Sequence, residues 1–187
     1  MIHTMVKELM VPLSEYATVY EDATLPEAIH ALEEAQAAFD QKRYPHRAIL
    51  VYDQNDQIVG KLSQHDVISA MEPKYRKVTE LKGMARFGIN PKLATSMFEQ
   101  YRFWDRPITT LCETAVKLKV GDIMYTPSEG EFIKEDDSMD EAIHRLYVGR
   151  HQSLLVTRDG DAVGILRLTD VYATICDAMK EYSGVKQ

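Results

Sequence analysis

Apolar residues recur with helical spacing in two distant stretches of the chain. Leu25, Ala28, Ile29 and Leu32 follow i, i+3, i+4, i+7, and so do Met139, Ala142, Ile143 and Leu146. Each set predicts one apolar helix face. Both helices open with S/T-x-x-E spacing, Thr24 with Glu27 and Ser138 with Glu141. There the hydroxyl can accept an early helical N–H while the Glu reaches back to the cap, so two capping boxes are expected. Pro26 falls in the first turn, where a missing N–H is tolerated. After each helix comes a short apolar run, AILVY at 48–52 and SLLVT at 153–157, then a polar turn, DQND or RDGD, then IVGKLS or AVGILR. Two short strands joined by a turn are expected in each case. A second helix follows, DVISAM at 66–71 and DVYATICDAMKEY at 170–182, the latter with Val171, Ile175 and Met179 along one stripe.

The two stretches are copies of one unit. EDATLPEAIHAL at 21–32 and EDDSMDEAIHRL at 135–146 coincide at an offset of 114, and VKELM at 6–10 matches VGDIM at 120–124 at the same offset. The glycines of GKLSQHD (60–66) and GILRLTD (164–170) align at 104, so the first copy holds ten more residues between these blocks. Most of the excess falls in QAAFDQKRYPHR, an extended helix and loop. Each unit reads strand–helix–strand–strand–helix, too small to bury its own sheet. Two units packed face to face give an α/β (α+β) domain of pseudo-two-fold β-α-β-β-α repeats. The expected divisions are 3–73, a helical insert at 74–116, and 117–182. In the insert a helix at roughly 75–87 ends at Gly88, Asn90-Pro91 caps another, and Leu93, Met97, Tyr101 and Trp104 form its stripe. That stripe is expected to pack on the module or on a second subunit.

Composition narrows the function. With 187 residues, 45% of them hydrophobic, a sizeable core is available. A net charge of −7 argues against broad nucleic-acid binding. The insert is the exception, with eight Lys or Arg against four acids. Cys112 and Cys176 lie far apart, and no CxxC or Cys/His cluster points to zinc or any other metal. A reducing, cytoplasmic setting follows, with both thiols expected to be structural. MIHTMVKELM has no signal-peptide pattern, and no apolar run is long enough to span a membrane. The nine Met residues are expected to fill cores. His30 and His144 sit at matching helix borders. No G-x-S-x-G, P-loop, HExxH or GxGxxG context is present, so no catalytic residue is assigned.

The V-x-[DE]-[IL]-M opening, the capped helix with EAI, the paired strands and G-x-[ILV]-[ST]-x-x-D, occurring in this order twice, resemble a tandem pair of CBS domains, modules named after cystathionine β-synthase. The resemblance covers about 3–73 and 117–182. It implies a non-enzymatic regulatory module, requiring no cofactor, that senses AMP, ADP, ATP or S-adenosylmethionine in clefts between repeats. It also implies a homodimer through paired modules. With no effector domain in view, the output would pass to a partner protein. In that family the motif Asp holds ribose hydroxyls, which carries over to Asp66 and Asp170. Phosphate contacts carry over to Ser63, His65, Arg167 and Thr169, and to His46, Arg47 and His151 before the second strand of each pair. Thr18 and Phe132 are the candidates for the adenine wall.

The residues themselves allow two readings of each Asp. A carboxylate can accept both ribose hydroxyls, and the following helix aims its positive end at a phosphate. Equally, an Asp at a helix start is a good cap with no ligand at all. Strand parity places Lys61 on the same face as Ser63, adding a cation beside the first motif. Arg167 departs from the hydroxyl pattern. Its guanidinium either holds phosphate by a fork of donors or pairs with an acid and keeps its cleft empty. A ligand-free dimerisation scaffold and a nucleic-acid-associated regulator using the basic insert are the alternative functions.

Overall fold

A computed structural model describes residues 4–40, 42–71 and 107–183. A short helix α1 (Val6–Leu9) and strand β1 (Val11–Pro12) precede the first unit, which runs β2 (Thr18–Tyr20), α2 (Leu25–Ala38), β3 (Ala48–Tyr52), β4 (Ile58–Ser63) and α3 (Gln64–Met71). Helices α4 (Ile108–Ala115) and α5 (Val120–Ile123) lead into the second unit, β5 (Phe132–Lys134), α6 (Met139–Gly149), β6 (Ser153–Arg158), β7 (Asp161–Arg167) and α7 (Leu168–Ser183). The strand–helix–strand–strand–helix grammar read from the sequence is therefore the fold.

In both units the first two strands are parallel, β2 with β3 and β5 with β6, because the helix between them carries the chain back across the sheet. The last two strands are antiparallel hairpins. Asp159 and Gly160 form the second hairpin loop at φ 53° and 98°, the double positive φ that suits a strand twist and that Asp-Gly supplies cheaply. In the first, Asp53 accepts from the amides of Asn55 and Gln57, each at 2.9 Å, which closes the turn locally.

The two openings exchange places. Val6 and Lys7 donate their amides to Asp137 and Glu135 in the second unit, and Val120 and Gly121 donate to Ala23 and Glu21 in the first. Strand β1 pairs with β7, extending that sheet to β1-β7-β6-β5, and the matching bridge Lys61–Tyr125 sits beside the β2-β3-β4 sheet. This crossing explains the glycine that starts the second motif and crowds the one that starts the first. A Cβ on Gly164 would lie 2.7 Å from the Val11 carbonyl oxygen, so there only glycine lets the crossing backbone approach. One on Gly60 would meet the Met124 side chain, 2.2 Å from its Sδ, which would have to move aside.

Three buried clusters follow from this exchange. Val120 and Ile123 complete the first unit's core with Leu25, Ala28, Ile49, Val51 and Leu62. Val6 completes the second with Ile133, Ala142, Leu146, Leu154 and Leu166. Between the sheets lie Val11, Tyr16, Phe39, Leu50, Leu155 and Ile165. Fully burying an aliphatic side chain of this kind is worth about 1.5–3 kcal/mol, so the shared cluster binds the two units into one body.

Several expectations are refined. Thr24 and Glu27 form the expected reciprocal box, with Glu27 accepting from the Thr24 amide at 2.7 Å. Ser138 accepts from the Glu141 amide at 3.3 Å, but the Glu141 carboxylate turns instead to Arg145 Nε at 2.7 Å. The apolar stripes of α2 and α7 run outward past the core they start in. Ile29, Ile175 and Met179 are exposed while Leu25, Ala28 and Val171 are buried. His30 is exposed and pairs with Glu34, and His144 is exposed. Cys112 is exposed, beyond the buried or partly exposed placement expected of a structural thiol, and Cys176 is half-buried. In the insert, Leu111 and Ala115 of α4 are buried, Ala115 in the first unit's core. The expected helix at 75–87 and the stripe Leu93–Met97–Tyr101–Trp104 lie outside the described residues.

Candidate functional site: a cleft between the repeats

The end of β4, the start of α3, the α6–β6 connection and the end of β7 meet around a cleft of about 580 Å³. Eight of the residues singled out in the sequence line it: Arg47, Lys61, Ser63, His65, Asp66, His151, Arg167 and Thr169. Four do not. His46 and Asp170 are buried behind the wall, 3% and 5% exposed. Thr18 pairs with Leu50 inside the first sheet, and Phe132 packs on the cluster between sheets. The aromatic surface of the cleft comes from Tyr16 and Tyr125.

Asp66 is held locally. Its Oδ2 accepts from the Ser63 amide at 2.8 Å and the Ser63 hydroxyl at 2.6 Å, while Ser63 Oγ accepts from the Asp66 amide at 3.3 Å. Ser63 is thus the cap of α3 and Asp66 its third residue, a capping box. The carboxylate is half-buried and lines the cleft, so capping and ligand contact share one residue.

The second motif is built differently. Arg167 Nε donates to Asp170 Oδ2 at 2.5 Å and its Nη2 to Oδ1 at 2.7 Å, a fork on a buried carboxylate. Arg167 Nη1 donates to the Tyr44 carbonyl at 2.8 Å and lies 3.2 Å from His46 Nδ1. Arg43 adds a third contact to Asp170 at 3.2 Å. Both guanidiniums lie over the Phe39 ring, about 5 Å from its centroid. Of the two readings of Arg167, pairing with an acid is the one present.

Burial, seconded by the Arg167 charge, pushes the His46 imidazole down to about 4. Tyr16, edge-on to it with ring centroids 4.4 Å apart, is pushed up to about 12 by burial. An unfolded His titrates near 6.5, so between pH 6.5 and 4 the unfolded chain binds the extra proton. Stability from this group is complete above pH 6.5 and lost as pH falls towards 4. Urea unfolding of the wild type should lose about 2–3 kcal/mol more than His46→Gln between pH 7 and 4.5, at about 1.36 kcal/mol per unit. Equal losses in the two proteins would show that His46 is not held neutral.

A second buried network sits in the cleft wall and was missed in the sequence. Glu131 is 1% exposed and pairs with Lys61. It also accepts from the Tyr125 hydroxyl at 2.5 Å and the Ser128 amide at 3.2 Å, with His151 at 4.0 Å. Burial alone would push the Glu131 carboxyl up, but Lys61, Tyr125 and Ser128 together hold it below the usual carboxylate range. The signal was available, since Ser128-x-x-Glu131 has the capping-box spacing used elsewhere. Lys61 is therefore already paired. Arg47 and Arg150, exposed at the rim, have no ion pair among the described residues.

The sequence model of the CBS domain matches residues 6–73 and 120–177. No curated protein sequence matches the chain. Among solved structures, the CBS domain of a CBS domain-containing membrane protein from Sphaerobacter thermophilus is similar at 21% identity and a TM-score of 0.59, covering 91% of this chain and 87% of that one. CBSX2 from Arabidopsis thaliana is similar at 19% identity and 0.59, covering 94% and 96%. A structure of CBSX2 in complex with AMP matches at 17% and 0.56, covering 94% and 98%. No helix among the described residues is long and apolar enough to cross a membrane. With both matched segments falling on the two exchanged units, the chain belongs to the CBS domain family, as a tandem pair of these regulatory modules.

Proposed function

We propose that this chain is a non-enzymatic regulatory module that holds an adenosine-containing ligand, AMP, ADP or ATP, in the cleft between its repeats, with S-adenosylmethionine as a further candidate. The observation that carries this is the convergence of Asp66, the N-terminus of α3 and the rim cations Arg47 and Arg150 on one cleft. Its volume lies within the roughly 300–1,000 Å³ range of small-molecule sites. Asp66 would accept the ribose hydroxyls. Ser63, His65, Thr169, Arg47 and His151 would surround phosphate, which the helix N-terminus also favours. The similar structure of CBSX2 with AMP supports the ligand class. Units 3–73 and 117–182 around an insert at 74–116 belong to the same reading, as does a cytoplasmic role through an effector protein.

Ligand-free protein should respond in a thermal-shift screen with AMP, ADP, ATP and S-adenosylmethionine. A ligand at 100 times its Kd adds about 2.7 kcal/mol, and a chain of this size gains about 2–4 °C per kcal/mol. An increase in Tm of about 5–10 °C is expected for the cognate ligand. Asp66→Asn should weaken it at least tenfold, by about 1.4 kcal/mol or more. A flat response to all four would sink the reading.

The surface favours a second reading, the ligand-free homodimer scaffold. Tyr147, Tyr172, Met179 and Tyr182 expose 59–87% of their surface on α6 and α7, more large apolar side chain than an isolated surface needs. In that case the protein would be dimeric by sedimentation with no change on adding nucleotide.

A further inference from the structure

We infer that the second nucleotide position of this module is sealed from within. The longer α2–β3 connection of the first repeat is a plug for the Asp170 position, so each chain takes one nucleotide rather than two. The inference rests on the nucleotide reading above and is carried by two departures from repeat symmetry that meet in space.

The first departure is length. Helix α2 has 14 residues and its connection to β3 runs over 39–47, whereas α6 has 11 and reaches β6 through 150–152. The second is Arg167 in place of the Ser63 hydroxyl. Nothing in the sequence relates them. In the structure, the extra chain delivers Phe39, Arg43, the Tyr44 carbonyl and His46 to Arg167 and Asp170.

The consequence for Asp170 is saturation. Its Oδ2 receives Arg167 Nε, and its Oδ1 receives both Arg167 Nη2 and Arg43 Nη2. A ribose would have to displace charge-assisted contacts to reach it. Asp66, the corresponding residue, is held by Ser63 alone and lines open space. The counterpart of the plug on that side, Arg150–Gln152, is short and merely lines the open cleft. One connection fills its neighbour's site and the other leaves it empty. That asymmetry is what a one-site module requires.

Two measurements test this. Carbodiimide labelling of carboxyls, read by mass spectrometry, should modify Asp66 at least tenfold faster than Asp170 in the wild type. In Arg43→Ala/Arg167→Ser the rates should converge. That variant recreates at 167–170 the Ser-x-x-Asp box of 63–66, so Asp170 keeps local partners and the helix its cap. Titration calorimetry with AMP should give one site per wild-type chain and two per chain in the double variant. Equal labelling of Asp66 and Asp170 in the wild type overturns the seal. So does a wild type that takes two AMP, or a folded double variant that still takes one. If neither protein binds AMP while Asp170 is protected only in the wild type, the seal stands and the nucleotide reading is what fails.

Discussion

Asp170→Ala should cost about 3–5 kcal/mol of folding stability, while Asp66→Ala, at the same place in the other repeat, should cost about 0.5–2 kcal/mol. Urea unfolding at pH 7 reads both. The difference lies in what each carboxylate leaves behind. Removing Asp66 deprives Ser63 of an acceptor beside solvent, the ordinary loss of a cap. Removing Asp170 strands Arg167, which is 4% exposed and so has little access to water. It also leaves Arg43 as a like charge facing the same space. A buried charge stripped of its partner keeps its desolvation penalty and loses the attraction that offset it. Asp170→Asn should fall between the two, retaining an acceptor oxygen without the charge. Equal costs for the two alanine variants would mean that the Arg167–Asp170 pair is hydrated in solution. The seal on the second position would then lose its physical basis.

The sequence carried the repeat because the repeat is written in local chemistry. Helix periodicity, caps, turn residues and strand runs are properties of neighbouring residues, and all of them occur twice at fixed offsets. The strand–helix–strand–strand–helix unit and the pairing of two units followed from that. What was not legible depends on chain passing between units. Val6 and Val120 look like the first core residues of their own copies, yet each completes the other's core. The pattern of apolar positions is the same either way, so periodicity has nothing to say about it. The glycines of GKLSQHD and GILRLTD were read as markers of a shared motif. The steric reason at Gly164, the crossing Val11 carbonyl, and the Met124 side chain that faces Gly60 both need the exchange to be known.

The site shows the same division. Strand parity put Lys61 beside Ser63, and both face the cleft. Parity cannot report that Lys61 arrives already paired, because Glu131 is 70 residues away. Arg167 was open to two readings although the acid it pairs with, Asp170, is only three residues on, because the groups that hold the guanidinium against that acid, the Tyr44 carbonyl and His46, lie more than 120 residues earlier. The ten-residue excess was visible as length and was assigned to an extended helix and loop, but what that segment touches is a tertiary fact. Thr18 and Phe132 were placed by analogy with a family, and the aromatic faces in the cleft are instead those of Tyr16 and Tyr125.

The Lys61–Glu131 pair ties stability to ligand affinity with opposite signs. Glu131→Ala should destabilise the fold by about 3–5 kcal/mol, because it removes the acceptor for the Lys61 ammonium, the Tyr125 hydroxyl and the Ser128 amide together. Glu131→Gln, which keeps an acceptor oxygen, should cost about half as much. The carboxyl is held below its ordinary range when folded, so its contribution is present above the unfolded pKa of about 4.3 and is lost as pH falls through the lower folded value. The gap between wild type and Glu131→Gln should accordingly close in acid. Nucleotide binding should move the other way. Lys61 already lines the cleft, and neutralising its partner releases a cation next to the expected phosphate. AMP should therefore bind Glu131→Gln several-fold tighter than wild type at pH 7, about 1 kcal/mol in binding energy, on a fold that is measurably weaker. Calorimetry and urea unfolding on the same two proteins decide it. If affinity falls with stability, Glu131 serves the ligand directly or holds the cleft in shape. If affinity rises while stability falls, the pair holds Lys61 in reserve, and the protein has traded ligand affinity for a rigid wall between its repeats.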